Sequence, residues 1–104
     1  MQKTAREWQE EAKKYQPSLQ QDLLQFLAIP SVLDTTTATF QQPFGIGIET
    51  ALQFLFDLAT RDGFIVTRVA DNMVVVVDYG PNDAAETVGV LSHVDVVPGN
   101  ASAW

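Results

Sequence analysis

Apolar residues change their spacing twice along the chain, dividing it into a helical first part and a strand-rich second part. Ala5, Trp8, Ala12 and Tyr15 recur at intervals of three or four, which puts their side chains on one face of an α-helix. Lys3 with Glu7, and Glu10 with Lys14, stand four apart, where opposite charges support a helix. Pro17 either kinks this helix or opens a second one, because proline lacks the donor an interior position needs. Ser18 followed by Gln21 has the form of a capping box. Leu19, Leu23, Phe26 and Leu27 then make the apolar stripe of a helix that ends before Ile29-Pro30, and these residues are assigned to the core.

From Ser31 to Gly47 the periodicity disappears. Asp34-Thr35-Thr36-Thr37 followed by Gln41-Gln42-Pro43-Phe44-Gly45 predicts an extended loop, of a length at which loops tend to carry function. Helical spacing returns with Ile48, Ala51, Leu52, Leu55, Phe56, Leu58 and Ala59, and Gly63 stands where a left-handed residue closes a helix. Beyond it β-branched and aromatic residues dominate, predicting strands over Phe64 to Val69, Met73 to Tyr79 and Thr87 to Ser92. The two-residue break at Asp71-Asn72 suits a tight hairpin. The continuously apolar Val88-Gly89-Val90-Leu91 suits a central strand covered on both faces. Helices followed by strands in this order predict an α/β fold with helices packed on a mixed β-sheet.

Composition narrows the function. With 104 residues, 46% of them apolar, the chain can fill one core but hardly two. Thirteen acids against six bases give a formal net charge of -7, which disfavours nucleic acid and anionic membrane surfaces as partners. Residues 1 to 16 hold four bases and three acids, so the acidity belongs to the remainder. No cysteine is present, which excludes disulfides, thiolate zinc sites and a cysteine nucleophile; any metal must be held by histidine and carboxylates. No stretch approaches the ~20 apolar residues of a membrane span. Met1 to Glu11 lacks the apolar centre of a secretory signal, and a cytoplasmic location is expected.

The lone histidine, His93, follows the third predicted strand, and Asp95 stands two residues on, before Val96-Val97-Pro98-Gly99. Ligands collect beyond the carboxyl ends of strands in α/β sheets, and residues two apart on an extended chain project to one side. Asp95 could therefore accept a hydrogen bond from one imidazole nitrogen, fixing the tautomer and leaving the other nitrogen for a metal ion. Taken alone, the pair more commonly describes a satisfied structural histidine near the surface. Ser92 faces away from His93 on an extended chain and makes a poor nucleophile partner. Gly45-x-Gly47 lacks the lysine and further glycine of a phosphate loop. Asp34, Glu49, Asp78 and Asp83 read as caps, turns or solvated faces. Trp8 belongs to the amphipathic stripe of the first helix.

The string Gly89-Val90-Leu91-Ser92-His93-Val94-Asp95-Val96-Val97-Pro98-Gly99 resembles the first metal-ligand motif of the zinc aminoacylase and carboxypeptidase family of metallopeptidases. Pro43-Phe44-Gly45-Ile46-Gly47, Asp62-Gly63-Phe64 and Ala28-Ile29-Pro30-Ser31-Val32 are similar to its bacterial dipeptidases of the PepV and Xaa-His type. The resemblance runs from about Leu19 to Trp104. It implies that His93 ligates one of two zinc ions and that Asp95 is the catalytic-site acid orienting it. It further implies hydrolysis of short peptides with a free amino terminus, and places Trp104 at the rim of the active-site region. In the family the bridging carboxylate, the other ligands and the general base lie downstream, so the chain corresponds to an amino-terminal part of the catalytic domain, inactive by itself. A deacylase or desuccinylase of N-acyl amino acids is the alternative within the family. A small non-catalytic α/β binding module is the alternative outside it. On the fragment reading, the apolar strands leave sheet surface uncovered and favour self-association.

Overall fold

Thr4 and Glu7 start the first helix reciprocally. The Glu7 amide donates to Thr4 Oγ1 at 3.2 Å, and the Thr4 amide donates to the Glu7 carboxylate at 2.6 Å. This capping box satisfies two donors that a helix start leaves open and begins α1 (Ala5–Lys14) in the computed structural model, which describes residues 2–103. With Glu7 committed to the cap, Lys3 lies over the Trp8 ring and 3.8 Å from Glu11, which also takes Lys14 at 2.9 Å. Glu10 pairs with Arg6 at 3.3 Å. The expected Lys3–Glu7 and Glu10–Lys14 pairs are thereby replaced.

Pro17 opens a helix and does not kink one. Tyr15 remains in the right-handed helical region, and α2 (Gln16–Leu27) follows with Pro17 in its first turn. Ser18 is not a cap, contrary to the expected box with Gln21. An N-cap requires a non-helical backbone, and Ser18 lies inside the first turn, where its hydroxyl donates to the Tyr15 carbonyl at 3.0 Å. The stripe assigned to the core is largely open: Leu19, Leu23 and Leu27 are exposed, as are Trp8 and Tyr15 of the preceding helix. Only Phe26 docks, stacked on Phe54 with ring centroids 5.9 Å apart.

The core sits instead on α3 (Ile46–Arg61), whose Ile48, Ala51 and Leu52 are the buried apolar residues. Its far end is tied to α2 by the Arg61 guanidinium, which donates to both Asp22 carboxylate oxygens at 3.1 and 3.0 Å. That contact holds the Asp22 carboxyl below its ordinary range and raises the Arg61 value. Gly63 has the expected left-handed backbone, φ 87°, and the chain turns into β1 (Ile65–Val69) and β2 (Val74–Asp78).

The two strands pair antiparallel with Val66 opposite Val77 and Arg68 opposite Val75. Their connection is four residues, Ala70 to Met73, with positive φ at Ala70, Asp71 and Asn72, and is wider than the expected two-residue turn. The turn residues are engaged sideways: the Asn72 carbonyl accepts from Arg68 at 2.7 Å and its side-chain amide donates to the Gln41 carbonyl. Arg68 also makes a bidentate pair with Glu49 on α3, at 3.0 and 2.7 Å, so that face of the hairpin is turned to α3. The opposite face exposes Ile65, Val69 and Val74.

The mixed sheet does not form among the described residues. The sheet has two strands, both antiparallel, and the predicted third strand makes no ladder, with Val88, Val90 and Leu91 about nine-tenths exposed or more. A strand covered on both faces needs neighbouring strands and two covering layers, which this small α/β arrangement lacks. The consequence appears in the dimensions. The radius of gyration is 16.9 Å, against about 13 Å for a compact domain of this length. The accessible surface is 8847 Å², against roughly 5,800 Å² for a folded monomer of this mass. No helix among the described residues is long and apolar enough to cross a membrane. The expected position of Trp104 lies outside the described residues.

Candidate metal centre

The loop between α2 and α3 is ordered by its own polar side chains. The Asp34 carboxylate accepts from the Thr36 amide at 3.0 Å, the Thr36 hydroxyl at 2.6 Å and the Thr37 hydroxyl at 3.1 Å. These donors, the Thr36 hydroxyl foremost, hold the Asp34 carboxyl below its ordinary value. Thr37 Oγ1 in turn accepts the Ile46 amide at 2.9 Å, capping α3 from outside the helix. Gly45 enters that helix at φ 93°. Gly47 lies so close to Pro30 that a Cβ there would overlap the Pro30 carbonyl oxygen. The first turn of α3 therefore backs directly onto the Pro30-Ser31 backbone.

Ser31 carries this support to the candidate site. It is buried; its hydroxyl donates to the Val94 carbonyl at 2.8 Å, and its carbonyl accepts the Val96 amide at 2.9 Å. Val94 is half-buried, while the His93 and Asp95 side chains on either side of it are 84% and 65% exposed. The alternation places the two predicted residues together, as expected. His93 Nδ1 lies 3.1 Å from Asp95 Oδ1 and 3.1 Å from the Asp95 carbonyl oxygen. Both partners are acceptors, so Nδ1 carries a proton and donates, and in the neutral imidazole this tautomer leaves the Nε2 lone pair free. The buried strand expected immediately before His93 is absent, so the pair rests on the Ser31 contacts.

This donor set fits one ligand position for a zinc ion and no more. Structural and catalytic zinc sites take three or four protein ligands, and among the described residues no group of three His, Cys, Asp or Glu side chains stands close enough to hold an ion. Asp34 and Glu49 are committed to the threonines and Arg68 respectively. An open groove of about 550 Å³ lies between α2 and α3, lined among others by Gln25, Ile29, Gln53 and Phe54. None of its lining residues belongs to the segment carrying His93, and its Asp57 is bonded to Gln53. The groove and the histidine are separate features.

Comparison with known proteins bears on what this arrangement belongs to. A Bacillus subtilis protein described as "Putative dipeptidase YtjP" is 38% identical over 91 residues, 88% of this chain and 19% of its own length. Proteins of the same description from Staphylococcus haemolyticus and Staphylococcus aureus (strain USA300) are 37% and 36% identical over the same extent. The chain is homologous to these dipeptidase-like proteins over most of its own length. It spans about one fifth of theirs, 19%. No family model matches the chain. Ser31, which supports the His93–Asp95 pair, carries no local signal in the sequence, because the Val94 carbonyl it bonds stands 63 residues away. The remaining predicted pair, His93 and Asp95, was marked by spacing within one short segment.

Proposed function

We propose that this chain is the amino-terminal segment of a longer zinc-dependent dipeptidase of the aminoacylase and carboxypeptidase type, cleaving short peptides in the cytoplasm. His93 is one zinc ligand through Nε2, and Asp95 is the acid that keeps the proton on Nδ1. The observation that carries this reading is the 3.1 Å contact between His93 Nδ1 and Asp95 Oδ1, in a chain homologous to proteins described as dipeptidases. Zinc, when bound, supplies Lewis acidity toward a peptide carbonyl and lowers the pKa of coordinated water to about 7. The chain's own part is to fix one ligand. An imidazole with Nδ1–H bonded to a carboxylate is oriented and more basic at its other nitrogen. The open face of the hairpin and the apolar segment from Val88 to Leu91 are surfaces that the remainder of such a protein would cover.

Grafting tests this directly. In the Bacillus subtilis relative, the matched segment is replaced by this chain, and zinc-dependent dipeptide hydrolysis is followed for parent and chimaera. The chimaera is expected to retain hydrolysis, His93→Ala to abolish it, and Asp95→Asn to lower it by about 10–100-fold. A chimaera that hydrolyses dipeptides equally well with His93→Ala would refute the assignment.

A further inference from the structure

Resting on that reading but read from different contacts, we infer that Ser31 is a positioning residue for the His93–Asp95 pair. It joins the only buried cluster of the described residues to the segment that bears the proposed ligand. On one side, the Pro30-Ser31 backbone is backed by Gly47 at the start of α3, where no side chain fits between them. On the other, Ser31 grips the second segment twice, by its hydroxyl on the Val94 carbonyl at 2.8 Å and by its carbonyl on the Val96 amide at 2.9 Å. Val94 and Val96 alternate with His93 and Asp95. Fixing the backbone on both sides of Asp95 sets where its carboxylate stands relative to the His93 ring, and with it the tautomer.

The surroundings make this grip decisive. Residues 87–92 pair with no strand, and the His93 and Asp95 side chains are largely exposed. A hydrogen bond between two exposed side chains contributes little and is readily exchanged for water, so the pair by itself does not hold its backbone. Ser31 is buried and its hydroxyl bond to the half-buried Val94 carbonyl is partly shielded from water, so losing it costs more than an exposed bond returns. Position is therefore imposed from Ser31 toward His93.

The test uses nuclear magnetic resonance of the whole chain without metal, at one fixed pH where imidazole is neutral. The His93 ring nitrogens report the tautomer, and amide exchange at Val96 reports the grip. In Ser31→Ala the Val96 amide keeps its main-chain acceptor but the segment loses the hydroxyl bond at Val94; Val96 exchange is expected to rise roughly tenfold, the weight of that one bond, and His93 to move to the tautomer mixture of free imidazole. Ser31→Thr keeps the hydroxyl and is expected to restore both. Asp95→Asn is expected to change the tautomer and leave Val96 protected, which separates the grip from the pair it positions. Val96→Pro removes the amide that Ser31 accepts without touching Ile48, Ala51 or Leu52, and is expected to release His93 as Ser31→Ala does. An unchanged His93 spectrum in both Ser31→Ala and Val96→Pro would overturn the inference. These readouts need no zinc, so they stand or fall apart from the metal assignment.

Discussion

At the scale of single residues, His93 and Asp95 behave as a local unit and could be found locally. Two residues apart in a short apolar string, they meet at 3.1 Å as the spacing predicts. Thr4 and Glu7 were equally local, in the pattern of a capping box, yet Ser18 and Gln21 show the same pattern without the box. The difference is the backbone at Tyr15, helical in the structure, a property that residue types alone do not fix. Asp34 yields a prediction of its own. Its carboxyl is held below the ordinary value of 3.8 by Thr36 and Thr37, so its contribution to order in the loop is complete above that value and is lost as pH falls through the lower folded value. Amide exchange at Thr36 and Ile46 is expected to stay slow to about pH 4 and to accelerate below it. In Asp34→Asn that acid step should vanish; its persistence would assign the step to another group.

Elements were legible where their pattern is self-contained and illegible where they need partners. α3 was readable because its wide apolar face and its flanking glycines lie in one stretch, and the hairpin because its two strands are consecutive. The third strand was not, because a central strand is defined by neighbours that must come from elsewhere. Two substitutions test the elements that do form. Gly47→Ala places a methyl against the Pro30 carbonyl and is expected to destabilise the chain by about 1–3 kcal/mol in urea unfolding, the usual cost of overpacking. Ala70→Gly relieves a left-handed alanine at φ 53° and is expected to stabilise the hairpin by at most about 1 kcal/mol. A neutral Gly47→Ala would show that α3 and the Pro30-Ser31 backbone are not in close contact.

For the whole molecule the arithmetic of composition proved permissive without being sufficient. Forty-six per cent apolar residues allow a core, yet among the described apolar residues only Ile48, Ala51 and Leu52 are buried, because most of the stripes of α1 and α2 and the outer face of the hairpin have nothing to pack on. Against the roughly 5,800 Å² of a compact monomer, the 8847 Å² observed leaves surface on the scale of a permanent interface. In sedimentation at rising concentration the isolated chain is expected to self-associate, and a monodisperse monomer with a sharp reversible melt would favour an independent module. Calorimetric titration of zinc at neutral pH, into the chain and its His93→Ala variant with oligomeric state monitored, is the most direct test of the proposal that one corner of a metal site resides here. Weak or absent binding by the chain is expected, since a single imidazole and its carboxylate cannot enclose the ion. Tight stoichiometric binding that disappears in His93→Ala would contradict it, showing that these 104 residues complete a site alone or in pairs.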